Sequence, residues 1–188
     1  MFRIIRITFG SVLVLAGILL MASFFQGILV HQSHDEQQKK AWETFIDATS
    51  GPSKPGTVVP GGVYFKMTVP KIGKNAVGLD GDWNTLKITS LVHYHDSPAP
   101  GQKGNMLIAF HREPNWLNID QVSVGDKIEI EDTKRQIFIY QIDKIQETSP
   151  SDVSMLAPTQ DMNITMITCD PVWRDYNRLI FRGHLLKS

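Results

Sequence analysis

Three side chains that can do chemistry together stand at the ends of apolar runs: a thiol, an imidazole and a guanidinium. Cys169 is the only cysteine in the chain. It closes the run NITMITC, 163–169, and Asp170-Pro171 follows. In strand geometry Thr165, Ile167 and Cys169 share one face. Pro171, with no N–H to donate, ends regular pairing just past the sulfur. A lone cysteine makes no internal disulfide. It is either a small buried hydrophobe or a thiolate nucleophile. The second role calls for a cationic or basic neighbour, because an unassisted thiol is only a few per cent ionised at neutral pH.

The chain has six histidines. His31 and His34 follow a long apolar block, and His184 lies near the C-terminus. His93 and His95 flank Tyr94 with H-x-H spacing, which suits a metal, but no Glu-x-x-His or cysteine cluster accompanies them. No metal or cofactor is therefore expected, and His93 is assigned a structural role. His111 differs: it ends the apolar run NMLIAF and opens HREPNW, a strand-to-loop exit like that of Cys169. In the last run Leu179, Phe181, Gly183 and Leu185 form one face, and Arg178, Ile180, Arg182 and His184 the other. Arg178 lies nine residues past Cys169, on a strand able to pair antiparallel with the cysteine strand. A planar five-donor cation there suits a developing oxyanion or a substrate carbonyl. Arg182 shares that face but lies about 13 Å further along, and Arg174 falls in the intervening loop.

The elements that must position these groups read as short strands. Val63–Pro70, 84–92, 104–111, 125–132, 135–147, 163–169 and 178–186 carry alternation or β-branched runs. Ile128 and Ile130 are expected inside, with Lys127, Glu129 and Glu131 outside. PNWLNIDQV and SPSDVSMLAP suggest short helices, the second with Ser151 or Asp152 as N-cap and Pro158 as its stop. About eight strands with short connections indicate an all-β, closed or nearly closed barrel.

Upstream the chain changes character. Ile7 to Val30 is an uncharged apolar stretch of 24 residues, reaching roughly 36 Å as a helix, enough to cross a bilayer core. Arg3 and Arg6 precede it and favour a cytoplasmic N-terminus. A cleaved signal peptide would have a shorter apolar region and a small-x-small site. The expected organisation is a cytoplasmic tip and transmembrane anchor at 1–30, an amphipathic juxtamembrane helix and Gly/Pro-rich linker at 31–61, and a folded domain at 62–188. Formal net charge is zero, so nucleic acid binding has no electrostatic support.

With these residues in place, the chain resembles the sortases, membrane-anchored cysteine transpeptidases of bacterial cell envelopes. TMITC, 165–169, is similar to the family's T-L-x-T-C signature, with Met166 where Leu is usual. RLIF, 178–181, is similar to the strand carrying the family's arginine. GNMLIAFHR, 104–112, is similar to the G-N-x-x-I-A-G-H segment, with Phe110 in place of Gly. VHYHDSPAPGQKGN resembles the family's G-H-Y-P stretch, with Val92 for Gly. VPKIGKNAVGL resembles its I-P-x-I segment, with Ala76 for Pro. The spacing from CDPVW to RLIF is closer to classes D and E than to A or B.

The resemblance implies a sortase-type eight-stranded β-barrel behind an N-terminal transmembrane helix. It implies His111, Cys169 and Arg178 as catalytic residues, with Thr168 and Phe110 lining the substrate groove. Implied partners are the sorting-signal peptides of surface proteins or pilins, of the Leu-Pro-x-Thr-Gly kind, an amine from a cell-wall precursor or pilin lysine, and the lipid bilayer. The implied location is the plasma membrane, with one span and an extracellular catalytic domain. Two other functions share these residues: a thiol hydrolase of the same peptides, and a degenerate envelope-binding domain without catalysis.

Overall fold

In the computed structural model the described residues are 13–26, 29, 36, 37, 39, 40, 42, 43, 62–112, 114–170 and 176–187. Eight strands are formed: β1 Val63–Val69, β2 Lys74–Gly81, β3 Leu91–Tyr94, β4 Gly104–Phe110, β5 Lys127–Asp132, β6 Ile137–Thr148, β7 Met162–Asp170 and β8 Asn177–Lys187. They close into a barrel in the order β1-β2-β3-β4-β7-β8-β6-β5. Closure removes the unpaired strand edges that an open sheet would expose.

Period-2 patterning fills the barrel. Phe65, Met67 and Val69 of β1, Ile128 and Ile130 of β5, and Phe138, Tyr140 and Ile142 of β6 join one buried cluster with Ile164, Met166 and Phe181. Lys66 and Thr68 of β1, Lys127, Glu129 and Glu131 of β5 and Gln141 of β6 hold alternate, outward positions, as alternation requires. β4 departs from alternation and is buried along its whole length. It is one of four strands with a parallel neighbour: β4 pairs parallel with β7, and β2 with β3. A strand covered on both faces reads as a continuous apolar run, which is what NMLIAF is.

Two sequence expectations change. The segment 84–92, expected as one strand, contributes only Leu91 and Val92 to β3; Thr85–Lys87 is a 3-10 turn instead. The Asp82 carboxylate accepts from the backbone N–H groups of Asn84 at 2.8 Å and Thr85 at 3.0 Å, and this local capture outcompetes strand pairing. The missing strand is β2, built from KNAVGLDG. The two expected helices are single 3-10 turns, Ile119–Gln121 and Ser154–Leu156. Val153 takes the N-cap position of the second, although Asp152 still accepts from the Ser154 N–H at 2.9 Å.

Of the expected anchor, residues 13–26 and 29 are helical, and the rest of 7–30 lies outside the described residues. Among the described residues no helix is long and apolar enough to cross a membrane. The described residues of 36–43 are helical, and Trp42 is buried with Val63, Val77 and Leu79.

Phe110 corrects a further expectation. Its ring lies in the barrel interior, 1% exposed, edge-on to Trp116 with ring centroids 5.6 Å apart. It follows Met106 and Ile108 on the inward phase of β4, opposite to the phase of His111, so it does not line a groove. Phe110→Ala is expected to cost about 3–5 kcal/mol of stability through the cavity it leaves. A denaturant melt checks this. The peptide preference of the surviving folded fraction should be unchanged.

Candidate active site

Strand register brings the three sequence-predicted side chains to one end of three adjacent strands. β7 and β8 run antiparallel, and Cys169 is the direct cross-strand partner of Arg178. β4 runs parallel to β7, with Ala109 paired to Ile167. Two residues on, His111 and Cys169 leave the two strands at the same level. Neighbouring strands are about 4.8 Å apart, so the imidazole, thiol and guanidinium sit on successive strands.

They also share a face. Met106, Ile108 and Phe110 of β4, Ile164 and Met166 of β7, and Phe181 of β8 are core residues. The alternate positions therefore point outward: Ala109 and His111, Ile167 and Cys169, Arg178 and Ile180. Cys169 is half-buried, as are His111 and Arg178. The sulfur is not sealed in the barrel interior.

The His111 ring is oriented by the turn that replaced the expected strand. Its Nε2 lies 2.8 Å from the Leu86 carbonyl oxygen. A carbonyl only accepts, so Nε2 carries the proton in the neutral ring and Nδ1 is its acceptor nitrogen. The His111 backbone N–H donates to the Ser90 oxygen at 3.0 Å, fixing the end of β4 to the approach of β3. The Arg178 guanidinium donates through Nη1 to the Asn177 carbonyl at 3.0 Å, which holds the fork near the strand end.

One wall beside these residues is the connection from β6 to β7. Asn105 Nδ2 donates to the carbonyls of Met155 and Ala157 at 3.0 and 3.1 Å, and the Thr165 hydroxyl donates to Asn105 Oδ1 at 2.7 Å. This buried network docks the Ser154–Leu156 turn onto the outer face of β4 and β7. Asp152 begins that turn. The Thr148 hydroxyl and then the Ser154 backbone N–H hold its carboxyl down to about 2, so it remains an ionised cap throughout the neutral range. Arg182 belongs to this wall: it pairs with Thr165, four residues before Cys169, and its Nη1 lies 4.0 Å from Met155 Sδ.

Thr168, expected to line the groove, is 3% exposed and shares the inward phase of Ile164 and Met166; its hydroxyl has no hydrogen-bond partner among the described residues. Like Phe110, it packs behind the site. His93 is buried, with Nδ1 2.6 Å from Asp80 Oδ1 and Nε2 3.1 Å from the Pro98 oxygen, and His95 lies against Asp96. The H-x-H pair thus splits between the interior and the surface.

Two residues were passed over in the sequence. Arg112 follows His111 and Asp170 follows Cys169, and their side chains form an ion pair. The available signal was an opposite-charge pair placed immediately after the imidazole and the thiol.

A family model described as a sortase domain matches residues 67–186. Sortase SrtE1 of Streptomyces coelicolor is 26% identical over 176 residues, which cover 84% of this chain and 50% of that protein. The chain thus spans about half the length of that relative. Sortase A of Listeria monocytogenes is 27% identical over 205 residues, covering 96% of this chain and 91% of that protein. Among solved structures, a sortase D5 transpeptidase from Clostridium perfringens superposes with a TM-score of 0.64 at 28% identity, covering 84% of this chain and 99% of that one. Sortase E from Streptomyces avermitilis gives a TM-score of 0.58 at 28% identity, covering 68% and 90%.

Proposed function

The chain belongs to the sortase family of cysteine transpeptidases, and we propose that Cys169, His111 and Arg178 carry out its acyl transfer on sorting-signal peptides. The observation that carries this reading is the shared end and shared face of β4, β7 and β8, with Cys169 in register with Arg178.

The Cys169 thiolate attacks the carbonyl carbon between Thr and Gly of a Leu-Pro-x-Thr-Gly-like signal. The carbonyl oxygen takes up the displaced electron pair, and the Arg178 guanidinium donates hydrogen bonds to it. As the tetrahedral species collapses, the C–N bond breaks and His111 gives a proton to the departing glycine amine. A thioester to Cys169 remains. An incoming amine then attacks that thioester and loses its proton to His111. The C–S bond breaks and the thiolate returns. His111 acts first as acid and then as base, so a single imidazole closes the proton cycle. Its proton exchange runs through Nδ1, because Nε2–H is committed to Leu86.

The amine acceptor in this reading is a cell-wall precursor or a pilin lysine. The chain is held in the plasma membrane by 7–30, with Arg3 and Arg6 on the cytoplasmic side and the barrel outside. The uncharged apolar sequence of that segment supports this. A class D- or E-like character is supported by the 28% identity to the sortase D5 and sortase E structures.

The test is product analysis. The full-length chain in detergent is incubated with a Leu-Pro-x-Thr-Gly peptide, with and without a small primary amine. Transfer predicts an amide product that rises with amine concentration at the expense of free acid. Free acid alone at every amine concentration would identify a thiol hydrolase. No cleavage of a signal-peptide library would leave a non-catalytic envelope-binding domain.

A further inference from the structure

We propose that Arg112 is a positioning residue: its guanidinium bridges Asp170 and Asp120 beneath the site and sets the separation of His111 from Cys169. The proposal rests on the catalytic reading of those two residues.

The strand ladders on the two sides of the cysteine differ in length. On the β8 side the ladder continues past it, through Cys169–Arg178 to Asp170–Asn177. On the β4 side the ladder ends at Ala109–Ile167, two residues before the imidazole and the thiol. The His111 backbone N–H turns away from β7 to Ser90. Beyond the Ala109–Ile167 pair, the Arg112–Asp170 ion pair joins the two strand ends where the chemistry takes place. Arg112 and Asp170 are the next residues along and occupy the opposite phase, so their bridge runs directly under the His111–Cys169 pair.

The bridge is a built feature. Arg112 is 4% exposed. Its Nη1 donates to Asp170 Oδ1, and its Nη2 lies 3.1 Å from Asp120 Oδ2 in the turn after the His111 loop. Its Nε is buried without a partner among the described residues. Burying a guanidinium is costly, and packed apolar side chains fill such space as well or better. What an apolar residue lacks is direction. A planar fork holding one carboxylate from the cysteine strand and one from the histidine loop ties three segments at defined angles.

The tie acts on proton transfer between His111 and the reacting group, and the test reads that step. Single-turnover acylation of the full-length protein by the peptide, and the pH profile of Cys169 alkylation by iodoacetamide, are compared for native, Asp170→Asn, Asp120→Asn and Arg112→Lys chains. Asp170→Asn is expected to slow acylation about 10- to 100-fold, the scale of a misplaced catalytic group, with KM nearly unchanged and the alkylation profile displaced. Asp120→Asn, which leaves the bridge to the cysteine strand intact, should slow it less than about threefold. Arg112→Lys keeps the buried charge but not the fork, and carries the test if Asp170→Asn fails to fold; it too should lose acylation faster than thermal stability. Native-like acylation and an unmoved alkylation profile in Asp170→Asn and Arg112→Lys would overturn the proposal. So would equal losses in both aspartate variants that follow melting temperature alone. A native chain that never acylates at Cys169 would instead remove the catalytic reading on which the proposal stands.

Discussion

With Cys169 replaced by Ala, the chain folds and forms no acyl-enzyme. The Cys169 thiol is the only thiol in the sequence, and the proposed covalent step runs through it. Turnover should fall by on the order of 10⁴-fold or more, the scale seen when a nucleophile is removed from a cooperating set. Stability should hardly change. Cys169 is half-buried at the outer end of β7, away from the inward positions of Ile164 and Met166, so losing one sulfur atom opens no enclosed cavity. A cost under about 1 kcal/mol is expected for a site of this kind. Peptide cleavage and a thermal melt of the same preparation separate the two effects. Residual cleavage above about a hundredth of the native rate would mean another residue attacks the peptide.

The second large effect distinguishes two arginines on one face of β8. Arg178→Lys is expected to slow acylation on the order of 10²- to 10³-fold, as loss of an oxyanion donor does. A single ammonium on a flexible stem does not reproduce the planar fork. Arg182→Lys should change the rate less than about threefold, because its cross-strand partner is Thr165 and its contact is the Met155 sulfur. Both variants keep the charge and both positions lie on the outer face, so folding is a common background. Single-turnover rates for the pair check this. A slow Arg182→Lys beside a normal Arg178→Lys would move the oxyanion role from Arg178 to Arg182.

The parts of this site that were legible in the sequence are those governed by period-2 geometry. The two faces of 178–185 follow directly from alternation, and so does the outward phase of Cys169. Phe110 and Thr168 were misplaced for a related reason. Chain adjacency to His111 and Cys169 suggested a shared groove, but on a strand adjacent residues face opposite ways. β2 was missed because KNAVGLDG lacks β-branched density and contains Gly78. That glycine is demanded by packing: a Cβ there would come within 2.2 Å of the Phe65 ring. The segment 84–92 reads as strand because its alternation is real, while the Asp82 carboxylate that diverts its first part acts through two backbone N–H groups no pattern displays. The parallel pairings β2–β3 and β4–β7 were also out of reach. The first needs the 82–90 connection to turn back beside β2; the second joins segments far apart in the chain and is what brings His111 level with Cys169.

The account depends on the sulfur of Cys169 being the atom that takes the acyl group, with His111 and Arg178 acting on it. The most direct measurement is the intact mass of the full-length protein, quenched in acid during reaction with a Leu-Pro-x-Thr-Gly peptide and then mapped by proteolysis. The prediction is an added mass equal to the peptide's acyl portion, carried on the fragment containing Cys169, released by hydroxylamine, and absent in His111→Ala and Cys169→Ala. Peptide cleavage without that adduct on the Cys169 fragment, or an adduct that forms equally fast without His111, would contradict it.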